Sequence, residues 1–425
     1  MNNAHRFERS EALRMDQSDP LARFRNEFHI PQTATGKDHL YFCGNSLGLQ
    51  PKRTKAFVEA ELSDWAKLGV EGHVHARHPW MPYHEFLTKP MASLVGGLEH
   101  EVVVMNSLTV NLHLLMVSFY RPSGKRFKIL IEADAFPSDK YAVASQAAFH
   151  GYDPQEAIIE LKSKSGHPVI PHEEVLEALD REGESIALVL LGGVNYYTGQ
   201  VFDMQAITQA AHTKGCVVGF DLAHGAGNLD LRLHDWNVDF ACWCSYKYLN
   251  SGPGGLSGIF VHERHADSKD LPRFQGWWGH DKATRFKMPS QFIPLKGAEG
   301  WQLSNPPILA MAALRASLEV FVEAGGMQPL RRKSELLTGY LLELLQQRND
   351  NASLRVITPS DPLQRGCQVS IQNLDGKGKQ RFERLTDAGV IADWREPDVI
   401  RVAPVPLYNR FVDVWDFVEL MSEVH

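Results

Sequence analysis

The stretch FDLAHGAGNLDLRLHDWNVDFACWCSYKYLNSGPGG, Phe220 to Gly255, decides the fold. It opens on the end of an apolar run, CVVGF, that stops at Asp221. A second apolar run, DFACWC, leads to Lys247 and then to Gly252, Gly254 and Gly255. Runs that are apolar throughout, without alternation, read as strands buried on both faces. Outward from this stretch the same texture recurs in EVVVM, KILIEA, SIALVLLGGV and SGIFVHE. Between these runs lie helical patterns such as DMQAITQAAHTKG, which Gly215 closes as a C-cap. Strands and helices in alternation predict an α/β fold with a mostly parallel sheet covered by helices. In open sheets of that kind ligands sit at the carboxyl ends of the strands, where Asp221 falls.

Three units are expected. Residues 1–48 form a polar leading arm, 49–310 a large domain, and 311–425 a smaller α+β domain. The last begins after Asn305-Pro306-Pro307, with two long helices followed by the short strands RVI, CQVSI and VIRVAP.

Composition excludes several classes. The 425 residues carry a net charge of −7, so a dedicated nucleic-acid binder, which needs a basic face, is not expected. The five cysteines include no CxxC pair, and Cys242 and Cys244 have no partner pair at zinc-site spacing, so no metal is expected. The charged opening segment has no signal-peptide core, and polar residues such as Asn106 and His113 break the longest apolar stretch. The expected location is cytoplasmic, with no membrane contact.

A strand-end aspartate followed 26 residues later by a lysine after the next strand suits a pyridine-type cofactor with an aldehyde. The carboxylate keeps the ring nitrogen protonated, and the lysine amine forms an imine and then moves protons. Around Phe220–Gly255 stand YFCGNSLGLQP, MNSLTVNLHLL, AFPSDKYA, YYTGQ, GWWGH, RFKM, SNPPIL and IRVAPVPLYN, spanning about residues 41–410. In this order they resemble the kynureninase family, within the pyridoxal-phosphate (PLP) dependent, fold type I, aspartate-aminotransferase-like superfamily.

The resemblance implies a PLP transferase-like fold and a set of roles. Lys247 carries PLP and Asp221 pairs with its ring nitrogen; His224 lies beside it. Leu108 and Thr109, at the start of a helix, hold the phosphate with Tyr246, which also moves protons. Phe136 stacks on the ring and Asp139 acts near its hydroxyl. Trp277 and Asn305 reach the phosphate from a neighbouring subunit, which implies a homodimer with shared active sites. Arg401 takes the substrate α-carboxylate. His73, Ser304 and Asn305 surround the substrate's aromatic ring. Gly192 and Gly193 stand where some relatives carry a hydroxyl side chain, so no side-chain contact is expected from there.

The implied activity is hydrolytic Cβ–Cγ cleavage of L-kynurenine or L-3-hydroxykynurenine, giving anthranilate or 3-hydroxyanthranilate and L-alanine. On the same fold, a desulfurase needs a mobile nucleophilic cysteine, and Cys367 reads as strand. A nicotinamide-dependent enzyme needs a strand–GxGxxG–helix, which the chain does not contain.

Overall fold

A computed structural model describes residues 7–164, 166–268, 270–348 and 353–422. Among them, seven strands build one sheet: β1 (Val102–Met105), β2 (Lys128–Glu132), β3 (Ile158–Leu161), β4 (Ile186–Leu191), β5 (Val217–Asp221), β6 (Phe240–Cys244) and β7 (Ser257–Val261). Their order is β1-β7-β6-β5-β4-β2-β3. All pairings are parallel except those of β7, which runs against both β1 and β6. Lys247 lies three residues beyond the end of β6, in a turn.

The unbroken apolar runs have a simple cause. Along β6, Phe240 and Cys242 face one core, while Ala241 and Trp243 face the other. Each fully buried large side chain contributes about 1.5–3 kcal/mol, so both faces must be apolar. Trp243 also dictates its neighbour: it pairs with Gly258, where a Cβ would lie 2.5 Å from the indole.

Helices cover the sheet. α1 (Thr54–Leu68) packs against α4 (Ile308–Glu323), and α2 (Leu108–Phe119) packs beside α3 (Pro137–Phe149). Proline at the first position of α3 presets its helical backbone. α5 (Met327–Arg348) crosses to the C-terminal lobe, where a four-stranded antiparallel sheet runs in the order Asp393–Arg395, Val399–Val402, Val369–Asn373, Leu354–Val356. Here β8 is Val369–Asn373, β9 is Asp393–Arg395 and β10 is Val399–Val402, with Leu354–Val356 at the far edge of the sheet.

The leading segment belongs to this lobe. Ala12 and Phe42 join Leu337, Ile400 and Phe417 in a third core. Asp16 accepts hydrogen bonds from the Phe411 and Val412 N–H groups, at 2.7 and 3.1 Å, capping α6 (Phe411–Ser422). Leu40 and Tyr41 pair in parallel with Val390 and Ile391. No helix among the described residues is long and apolar enough to cross a membrane.

Candidate active site

A cavity of 390 Å³ opens at the carboxyl ends of β2, β4 and β5, between the large sheet and the C-terminal lobe. It brings together Lys247, Tyr246, Asp221, His224, Leu108, Thr109, Phe136, Asp139 and Arg401. These nine residues come from segments far apart in sequence, and each was expected at the site from the sequence.

Asp221 ends β5 and is buried, with Oδ1 accepting the Ala223 N–H at 2.8 Å. Its carboxyl is raised by burial and hydrogen-bonded to Asp139. Asp139 is raised as well, by burial first and then by the Asp221 charge, so the two carboxyls hold a proton between them. Lys247 Nζ lies 2.9 Å from Nε2 of His224 and 6.0 Å from the centre of the Phe136 ring. Burial, then the Lys247 charge, drives the His224 imidazole well below its usual value, so it is neutral. Burial likewise raises Tyr246, whose hydroxyl meets Cys244 and keeps its proton.

The turn that carries Lys247 is locked by the segment around Gly48. The Gly48 N–H donates to the Tyr246 carbonyl at 2.8 Å, and a Cβ at Gly48 would lie 2.2 Å from the Lys247 carbonyl oxygen. Only glycine permits that approach.

Arg401 is buried on β10. It donates to the Tyr196 carbonyl and to Asp393, while its Nε has no partner. Burial lowers its guanidinium to about 10, and it remains charged at neutral pH. Arg395 lines the same wall and shares Asp393 at 3.1 Å.

The donor set fits PLP. Two acidic groups wait at one end for a cationic ring nitrogen. At the other, α2 starts at Ser107 with no side-chain cap, leaving its first N–H groups for a phosphate. The lysine amine and a buried His224 Nδ1 without a partner line the same cavity.

Four expected residues do not line the cavity of their own chain. Ser304 and Asn305 are exposed, Trp277 is 40% exposed with its indole N–H on the Arg285 carbonyl, and His73 packs edge-on to Trp80. The cavity also holds residues the sequence reading did not assign: Glu132, Tyr196, Arg395 and Asn45 among them. Glu132 had a signal, since it ends a buried strand as Asp221 does. Arg395 had none, because its strand is short and half-buried.

Away from the cavity, Glu101 gathers His234 and His262. Its oxygens already accept the Leu98 and Glu263 N–H groups, at 2.8 and 2.7 Å. The two imidazoles stack face to face with planes 12° apart, so their in-plane lone pairs lie in separate layers. The cluster ties loops together. Cys367 is buried two residues before β8, not in it, with its thiol on Ser334 at 3.3 Å and raised by burial to about 11. It has neither the exposure nor the mobility of a nucleophile.

A mostly parallel sheet whose strand ends present this lysine, aspartate and helix terminus defines a PLP-dependent enzyme of fold type I. Solved structures agree on the fold: an apo cysteine desulfurase from Thermococcus onnurineus NA1 aligns with a TM-score of 0.74 at 16% identity, covering 91% of this chain and 94% of that one. A cystine C–S lyase in complex with cysteine persulfide aligns with a TM-score of 0.75 at 17% identity, covering 91% and 97%. Residues 330–421 match the family described as "Kynureninase C-terminal domain". The kynureninase of Myxococcus xanthus is 59% identical over 424 residues, 99% of either chain. That of Koribacter versatilis is 58% identical over 96% of either chain, and that of Nematostella vectensis 49% identical over 96% of this chain and 92% of its own. The chain belongs to the kynureninase family.

Proposed function

We propose that this protein hydrolyses the Cβ–Cγ bond of L-kynurenine or L-3-hydroxykynurenine, releasing anthranilate or 3-hydroxyanthranilate and L-alanine, with PLP bound through Lys247. The observation that carries the reading is the convergence of Lys247, Asp221 and Arg401 on one cavity in a chain 59% identical to a kynureninase.

Lys247 would hold the cofactor, with Asp221 available to its ring nitrogen, Phe136 to its face and the N-terminus of α2 to its phosphate. When bound, PLP would supply an electron sink for the negative charge that develops at carbon. Arg401 binds the substrate α-carboxylate, with Arg395 adding charge to the same wall. That fixes the α-carbon so that its proton faces the Lys247 amine, the general base. Neutral His224, 2.9 Å from Nζ, accepts a hydrogen bond from the ammonium and holds the amine in place between proton transfers. The protonated Tyr246 hydroxyl donates to Cβ once the aromatic fragment departs. Water supplies the oxygen that ends on the γ-carbon.

The active unit we propose is a homodimer. Trp277, Ser304, Asn305 and His73 lie outside the cavity of their own chain, and Val70, Phe274 and Phe286, close to them in sequence, are 75%, 57% and 55% exposed. A partner seated there brings Trp277 and Asn305 to the phosphate, and His73, Ser304 and Asn305 to the substrate ring. Polar groups at that ring favour 3-hydroxykynurenine. The reaction belongs to tryptophan catabolism by the kynurenine pathway, in the cytoplasm, with NAD biosynthesis downstream.

The test is direct. Borohydride reduction of the purified protein is expected to shift its visible absorbance and leave the cofactor on the peptide containing Lys247. Turnover of both kynurenines is then compared. A normal cofactor spectrum with no turnover of either substrate overturns the assignment.

A further inference from the structure

One buried acid in the cavity has no part in the scheme above. Glu132 ends β2 as Asp221 ends β5, with β4 between them. It is 3% exposed and lines the cavity. Its Oε2 accepts the Gly192 N–H, at 3.1 Å, from the residue that follows β4. No side chain enters from position 192. A Cβ there would lie 2.8 Å from Glu132 Oε1, so the glutamate carboxyl stands where such a side chain would begin.

We propose that Glu132 is a positioning residue of the cofactor site: held by the Gly192 N–H beside the acidic pair Asp139 and Asp221, its carboxyl sets the charge balance under which the bound cofactor takes up and gives up its proton. The inference rests on the PLP reading above and deepens it.

Two observations support the assignment. A carboxyl with no role is rarely kept in a buried polar cavity, because its desolvation costs several kcal/mol unless something holds it. Here a backbone amide and the Asn195 side chain do. Burial, opposed by these bonds and reinforced by the Asp221 charge, raises Glu132 to about 7. Its charge is therefore open to change near neutral pH. The other charged or titratable groups on the cavity wall are Asp139 and Asp221 on the acidic side, His224, the phenols Tyr196 and Tyr246, and the cations Lys247, Arg395 and Arg401. Glu132 raises Asp139 in turn, so the three acids titrate as a unit.

The experiment uses the PLP-loaded enzyme and Glu132→Gln, which keeps the shape and an acceptor for the Gly192 N–H. The visible absorbance of the bound cofactor is titrated against pH. An ionised Glu132 favours positive charge nearby, so its removal is expected to lower the protonation midpoint by about half a pH unit or more. A midpoint that stays in place or rises overturns the proposal. Should Glu132→Gln fail to fold, Glu132→Asp, which withdraws the carboxyl by one methylene, must shift the midpoint relative to the parent. A superimposable titration overturns the proposal equally. The readout needs no substrate. Loss of kynurenine turnover in the parent enzyme sinks the functional assignment, while an unmoved midpoint with normal turnover sinks only the role of Glu132.

Discussion

The amine of Lys247 and Nε2 of His224 stand 2.9 Å apart inside the cavity, and the imidazole is neutral there. A neutral imidazole is an acceptor for the ammonium and no competitor for its charge.

Replacement of Lys247 by alanine is therefore expected to lower kcat by about a thousandfold or more and to abolish borohydride trapping. His224→Ala keeps trapping but loosens the amine, so kcat falls by about tenfold to a hundredfold with KM nearly unchanged. Steady-state kinetics beside absorbance spectra check both.

Arg401→Lys keeps a charge but loses the planar fork. KM is expected to rise by about 10- to 100-fold, more than kcat falls. Equal kinetics for the variant and its parent would remove Arg401 from the substrate site.

Subunit mixing tests the shared site. Lys247→Ala and Asn305→Ala chains are each expected to be impaired alone. In a hybrid, one site collects both defects and the other is intact, so activity returns on mixing. Mixtures no more active than their components argue for self-contained subunits.

Asp16→Ala removes the cap of α6. Denaturant unfolding is expected to show a loss of about 1 kcal/mol, with turnover preserved, since Asp16 lies outside the cavity.

Glu299 gives a pH-dependent term. Burial raises its carboxyl, but bonds from His84 at 3.1 Å and Lys282 at 2.7 Å outweigh burial and hold it at about 2. A depressed acid contributes stability that is complete above its unfolded value, 4.5, and is lost as pH falls toward about 2. Glu299→Gln is expected to lower Tm at neutral pH and to flatten its fall across that acid window.

Much of this was legible in the sequence, for identifiable reasons. Asp221 and Lys247 could be placed because unbroken apolar runs mark buried strands, and a polar residue ending one has few positions to occupy. Strand direction left no mark: SGIFVHE is equally apolar whichever way it runs, and β7 is antiparallel. The boundary expected at residue 311 falls inside α4, whose Met311, Leu314 and Leu318 join the core of the large sheet. The Asn-Pro-Pro break announced the start of a helix, and a helix does not declare which lobe it packs on. Glu132 escaped because its carboxyl meets Gly192 only once β2 and β4 are paired.

The cap that Asp16 places on Phe411 joins groups separated by 395 positions. During synthesis, the apolar face around Ala12 and Phe42 waits for a partner until nearly the whole polypeptide has left the ribosome. So distant a closure comes late in folding. The segment translated first is thus among the last to be buried.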